Sequence, residues 1–125
     1  MKLATGVDII EIARFEGTIE RQGERFIQRY FTRIEIEQSG GRVASLAARF
    51  AAKEAISKAL GTGMGKVRPI DMEVVLDENR APHLHLHGEA VRVAGNLGLN
   101  TWSISLSHSD GYAVAFVVAM GEESK

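Results

Sequence analysis

Apolar positions change their spacing along this chain, and each change marks a predicted element. "KLATGVDII", residues 2–10, is apolar and β-branched enough for a first strand, with Asp8 near its end. From Glu11 to Gln22 the apolar residues Ile12, Phe15 and Ile19 recur at helical spacing. Gly23 interrupts, and "ERFIQRYF" resumes the helical register with Phe26 and Tyr30. "QSGGR", residues 38–42, reads as a turn. A long helix is predicted from about Val43 to Leu60, with Leu46, Ala47 and Phe50 inward and Gly61 as its C-terminal stop. "IDMEVVLDENRAPHLHLHG" predicts two strands around an Asn-Arg-Ala-Pro turn, and "EAVRVAGNLG" a short helix ended by glycine. "TWSISLSHSDGYAVAFVVAM" predicts two final strands joined through Asp110-Gly111. The order β-α-α-α-β-β-α-β-β predicts an α+β fold with a mostly antiparallel sheet. The last strands are too continuously apolar for a sheet with one wet face, which predicts burial against further subunits.

Composition narrows the class. The 125 residues show no internal repeat, low-complexity tract or linker, so one domain over 1–125 is expected. A chain of this length buries about two-thirds of its unfolded surface and folds without staples. There is no cysteine, which excludes disulfides and thiolate metal sites. No apolar run approaches the roughly 20 residues of a membrane span. "MKLATGVDII" does not resemble a signal peptide, so a soluble cytoplasmic protein is the expectation. The net charge of −1 argues against bulk affinity for nucleic acid.

The stretch "RFAAKEAISKALGTGMGK" runs a Lys-Glu-Ala helix straight into glycines. A phosphate loop needs G-x-x-x-x-G-K-[ST] ahead of a helix, where backbone N–H groups meet the phosphates. Here Val67 follows Lys66, and the cluster lies past a helix C-terminus, the negative end of the dipole. That motif is rejected, leaving Gly61, Gly63 and Gly65 as cap and turn residues. Glu54 and Lys58, four apart, share one helix face and would form a surface ion pair worth about 0.3–0.5 kcal/mol. Lys53 is rotated about 100° from Glu54, onto a different face. Asp8 stands between Val7 and Ile9, where an unpaired carboxylate is costly. Its partner is a cation, backbone donors at a strand end, or a metal such as Mg²⁺, unless it caps the helix beginning near Glu11.

"SHSDG" places Ser107, His108 and Ser109 at a strand end. No G-x-S-x-G elbow supports a hydrolase triad, and the loop suits phosphate binding or a plain polar turn. "HLHLH" puts His83, His85 and His87 on one strand face opposite Leu84 and Leu86. Without an acidic residue of suitable spacing, that face is expected to be exposed surface in preference to a zinc site. Arg14, Thr18, Arg21 and Arg25 fall at i, i+4, i+7 and i+11, a stripe distinct from the Ile12, Phe15, Ile19 face. Glu16, Glu20 and Glu24 could balance it as ordinary solvated surface.

Three separated pieces, "GVDIIEIARFE", "RFAAKEAISKALGTG" and "SISLSHS", together resemble the holo-acyl-carrier-protein synthases, the small bacterial type of 4′-phosphopantetheinyl transferase. Their order, spacing and the total length match, so the resemblance covers nearly the whole chain. It implies that the chain moves phosphopantetheine from coenzyme A to a serine of apo acyl carrier protein, in fatty acid biosynthesis. It implies that Asp8 and Glu54 bind Mg²⁺ with the coenzyme pyrophosphate, and that Lys58 stands at the phosphates and reaction centre. By the same resemblance Gly61, Thr62 and Gly63 let backbone approach the coenzyme, and Ser107, His108 and Ser109 hold its 3′-phosphate. The family is homotrimeric, with sites between subunits: Asp8, Glu54 and Lys58 would come from one chain and the "SHS" loop from its neighbour. Arg14, Arg21 and Arg25 would grip an acidic carrier. The longer, two-halved transferases carry a third acidic ligand where this chain has Ile10, so water is expected to complete the metal shell. Two rival readings are a non-catalytic coenzyme A or nucleotide-binding module, which has no need of Asp8 and Glu54 together, and a plain oligomeric interaction domain.

Overall fold

The computed structural model describes residues 1–63 and 65–122. Strand β1 (Lys2–Glu11) runs into α1 (Ile12–Gln22), and Gly23 separates α1 from α2 (Glu24–Tyr30). Two more helices follow, α3 (Arg33–Ser39) and α4 (Val43–Leu60). After a 3₁₀ turn (Pro69–Asp71) come β2 (Met72–Leu76), β3 (Pro82–Leu86), α5 (Gly88–Leu97), β4 (Thr101–His108) and β5 (Tyr112–Gly121). All pairing is antiparallel, in a three-stranded sheet of order β1-β5-β4 and a separate β2-β3 hairpin. The α+β expectation holds, with two sheets where the sequence suggested essentially one. β3 lies beside β4 without joining its ladder.

Helix α3 corrects the sequence reading, which placed no helix there and began a turn at Gln38. The segment lacks an apolar stripe: Ile34 is exposed and Ile36 half-buried. What holds it is polar. Thr32 Oγ1 accepts from Glu35 N, and the Glu35 carboxylate accepts from Thr32 N, a capping box that "TRIE" does spell. Glu35 also accepts from Val74 N through its other oxygen, at 3.0 Å. Lys53, fully buried, donates to Glu35 at 2.9 Å and to the Pro69 and Met72 carbonyls, both at 2.8 Å. Burial pulls the Lys53 pKa down, and the Glu35 charge opposes it. One buried ion pair therefore ties α3, α4 and β2 together.

Helix α4 lies across the inner face of the three-stranded sheet and is buried on most sides, which explains its alanines. Ala51, Ala52, Ala55 and Ile56 are sealed against Val74, Ala115 and Val117. At Gly6 a β-carbon would collide with the Ala55 carbonyl, so only glycine lets β1 touch the α4 backbone. A second core joins α1, α2 and the start of α4, with Phe15 edge-on to Phe26 and Phe31 at 5.8 and 6.3 Å. The outer sheet face is different. Leu3, Val7, Ile9, Phe116 and Met120 are exposed there, beside the exposed Thr101, Ser103, Ser105 and Ser107 of β4.

Candidate active site

Asp8 points from β1 toward α4 because its strand neighbours Val7 and Ile9 take the outer face. The close β1–α4 approach at Gly6 brings it against the last turns of that helix. There Lys58 Nζ donates to Asp8 Oδ1 at 2.9 Å and to the Val7 carbonyl at 3.0 Å. The anticipated Glu54–Lys58 surface pair is replaced by this contact between helix and strand. Asp8 Oδ2 is buried and has no hydrogen-bond partner. Glu54 is half-buried one turn before Lys58. Its pKa is held up first by burial and then by the Asp8 charge, with Lys58 opposing. The ammonium thus bonds Asp8 while acting on Glu54 only through its charge, and the Asp8 Oδ2 atom is unmet.

The glycines after α4 behave as the cap expectation requires. Gly61, at φ 74°, takes the left-handed conformation that only glycine adopts cheaply. Its N–H bonds to Lys58 O and that of Thr62 to Ser57 O, both at 3.1 Å. Thr62 Oγ1 donates to Gly63 O at 3.0 Å. Gly61 and Gly63 are exposed next to Lys58, so backbone there is open to a ligand.

Ser107, His108 and Ser109 lie at the opposite edge of the sheet from Asp8, with β5 between. Ser109 N closes the hairpin on Tyr112 O at 2.9 Å. His108 lines a hollow of about 220 Å³ with Arg42, Ser45, Arg49 and Arg80. Sequence reading missed these three arginines. Arg49 is buried and donates to Ser45 Oγ at 2.6 Å and Gln38 Oε1 at 3.0 Å. Its pKa is lowered by burial above all, and Arg80 and Arg42 add repulsion. Arg80, in the β2-β3 loop, sits at φ 63°, in the left-handed region. Nothing local in the sequence signals this cluster, since its members come from the α3–α4 turn, α4 and the hairpin loop.

Arg14 and Arg21 are exposed on α1 and border a groove of about 650 Å³ with Ile9, Phe15, Phe26 and Phe50. Thr18 links them, donating to Arg14 O and accepting from Arg21, both at 3.2 Å. Arg25 belongs to α2 beyond the Gly23 break, so the single helical stripe is corrected to two adjoining helices. It still neighbours Arg21 around a smaller hollow with Phe26 and Arg29. Phe50, Glu54 and Lys58 follow one another on α4 at four-residue steps, which carries the groove floor toward the carboxylates. His83 pairs with Asp77 at 2.8 Å and His87 with Glu73 at 3.0 Å, while His85 is exposed. Among the described residues no three ligating side chains are gathered to hold a metal.

A strand carboxylate thus stands beside a helix Glu and Lys, and an arginine-rich hollow opens across the sheet, groups whose chemistry suits phosphate-bearing ligands. Solved structures share this fold: holo-[acyl-carrier-protein] synthase from Helicobacter pylori, in complex with coenzyme A, superposes with a TM-score of 0.85 at 33% identity, covering 93% of this chain and 99% of that one. The holo-[acyl-carrier-protein] synthase of Herpetosiphon aurantiacus is 47% identical over 126 residues, 95% of this chain and 99% of that protein. That of Ruminiclostridium cellulolyticum is 42% identical over 131 residues, 100% and 98% of the two chains. The family model of the 4′-phosphopantetheinyl transferase superfamily matches residues 4–117. The chain belongs to that superfamily.

Proposed function

We infer that this chain transfers the 4′-phosphopantetheine group of coenzyme A to a serine hydroxyl of an apo acyl carrier protein. The observation that carries the reading is the convergence of Asp8, Glu54 and Lys58 in a chain whose close relatives bear the synthase name. The serine oxygen bonds to the β-phosphorus, the pyrophosphate P–O bond breaks, and adenosine 3′,5′-bisphosphate leaves. The serine proton is released to water, and the electrons of the broken P–O bond leave with the bisphosphate. Such a transfer depends mainly on alignment and charge neutralisation.

The residues fit a hard divalent ion. Asp8 offers a buried, unmet oxygen, and Glu54 is a second carboxylate within reach of the Asp8 charge. Asp8 and Glu54 would hold Mg²⁺, whose chemistry there is to neutralise diphosphate charge. Lys58, more than half exposed, is free to turn from β1 toward the phosphates. The open backbone of Gly61 to Gly63 lets the coenzyme lie close to α4. Arg42, Arg49, Arg80 and His108 receive the 3′-phosphate, with Ser107 and Ser109 beside them. The Arg14–Arg21 groove and Arg25 receive the acidic carrier, whose serine then reaches Glu54 and Lys58 past Phe50.

Asp8 and His108 stand on opposite sheet edges, so one coenzyme is held by two chains. Subunits associate through the exposed apolar outer face of β1 and β5, as a trimer. No helix among the described residues is long and apolar enough to cross a membrane, in keeping with a cytoplasmic reaction. The test is to incubate the protein with coenzyme A, Mg²⁺ and an apo carrier, then weigh the carrier. A gain of one phosphopantetheine is expected. An unchanged mass with bound coenzyme A would leave only a binding module.

A further inference from the structure

Lys58 already holds Asp8 through Oδ1, leaving only Oδ2 of the carboxylate unmet. Its ammonium is held by two oxygens of β1, Asp8 Oδ1 at 2.9 Å and Val7 O at 3.0 Å. The lysine side chain is 54% exposed and the Asp8 side chain 16%, so the lysine can leave while the carboxylate cannot. Without Lys58, Asp8 and Glu54 would face each other with no cation among the described residues. An ammonium and a divalent ion on oxygens of one half-buried carboxylate repel strongly, because local screening is weak. They are alternatives at this position.

We propose that Lys58 is a resident counter-ion that competes with the divalent metal for Asp8, and that the coenzyme diphosphate admits the metal by drawing the lysine away. This rests on the transferase reading above. One negative charge is left over in each state. Before coenzyme arrives, Lys58 offsets one of the two carboxylates. Afterwards the divalent ion offsets both, and Lys58 meets the diphosphate. Metal and coenzyme then favour each other's binding by the same factor, as linkage requires. Lys58 is thereby a gate on metal entry as well as a group at the phosphates.

The experiment measures Mn²⁺ binding to the full chain by the paramagnetic signal of the free ion, without carrier, so no turnover occurs. Wild type is expected to bind Mn²⁺ weakly alone and about tenfold more tightly with coenzyme A, within the usual range of coupling. Lys58→Ala, lacking the competitor, should bind Mn²⁺ about tenfold more tightly than wild type without coenzyme and gain less from adding it. Lys58→Gln, a second neutral variant, should do the same, and Lys58→Arg should behave like wild type. A lysine with a merely structural role would leave metal affinity unchanged or lower it on removal. Equal or weaker Mn²⁺ binding by both neutral variants, with Asp8→Asn abolishing it, overturns the competition and leaves the transferase reading standing. Absence of Mn²⁺ binding to wild type even with coenzyme A overturns both.

Discussion

At Glu54, burial and the neighbouring Asp8 charge raise the carboxyl pKa, and Lys58 only partly offsets them. Just above the ordinary glutamate range the folded chain therefore keeps a proton that the unfolded chain has lost. Native protein binds more protons in that window, so this residue makes stability fall as pH rises through it. Glu54→Gln removes the effect. In metal-free protein it should raise the melting temperature at about pH 8 and make little difference near pH 3, where glutamate is neutral in both states. The same variant should lose at least about 10²-fold in turnover, the scale of a lost charge stabilising a transition state. A folded Glu54→Gln protein with near-normal turnover at ordinary Mg²⁺ would remove the residue from the site. The gain in stability and the loss of activity would share one cause, the repulsion between Asp8 and Glu54 that a bound cation would relieve.

Among the elements, α1 and α3 were legible to different degrees, and each makes a prediction. The α1 arginines border a groove whose floor is aromatic, and the proposed carrier docking uses their charge for steering and Phe15, Phe26 and Phe50 for contact. Arg14→Glu should raise the KM for acidic carrier about tenfold and leave that for coenzyme A nearly unchanged, since it acts at the rim of one interface. Added salt should weaken wild-type carrier binding in the same direction, measured by titrating carrier in steady-state kinetics. Unchanged carrier KM and salt dependence in both Arg14→Glu and Arg21→Glu would make the stripe ordinary surface. Helix α3 depends on Glu35, which serves as cap and as counter-ion to the buried Lys53. Glu35→Ala should cost about 3–5 kcal/mol in urea unfolding, because it strands an ammonium in the core. Glu35→Leu with Lys53→Met should recover much of that loss by removing both charges.

Across the whole molecule, the residues of the proposed site are divided by the sheet. Asp8 lies on one edge strand and His108 on the other, while the outer face carries exposed Val7, Ile9 and Phe116. Mixing inactive Glu54→Gln with inactive His108→Ala protomers should restore part of the activity once subunits exchange. Hybrid assemblies would contain an interface with both halves intact. Phe116→Lys should lower the sedimenting mass to that of one chain and abolish turnover together, because it places a charge in the face through which the proposed trimer associates. No recovery in mixtures after confirmed subunit exchange, or full activity in a monomer, would assign each site to a single chain.

Local chemistry made much of the fold readable. Strand β1, helix α1, the long α4 with its glycine stop, and the final hairpin at Asp110-Gly111 were all set by spacing and turn residues that act within a few positions. Asp8 stood out because a carboxylate between Val7 and Ile9 demands a partner. Only tertiary structure decided which partner it meets. The sequence put Lys58 four residues from Glu54, but the glycine contact of β1 with α4 brings it to Asp8 instead. Likewise α3 has no apolar stripe to announce it, since its stability comes from an ion pair with a lysine 18 residues away in sequence. The Arg42, Arg49, Arg80 and His108 hollow joins residues from three distant segments, and their convergence exists only once the hairpin and β4 pack beside α4. Periodicity records what each segment buries. Which charges face one another is fixed by how closely the backbones approach.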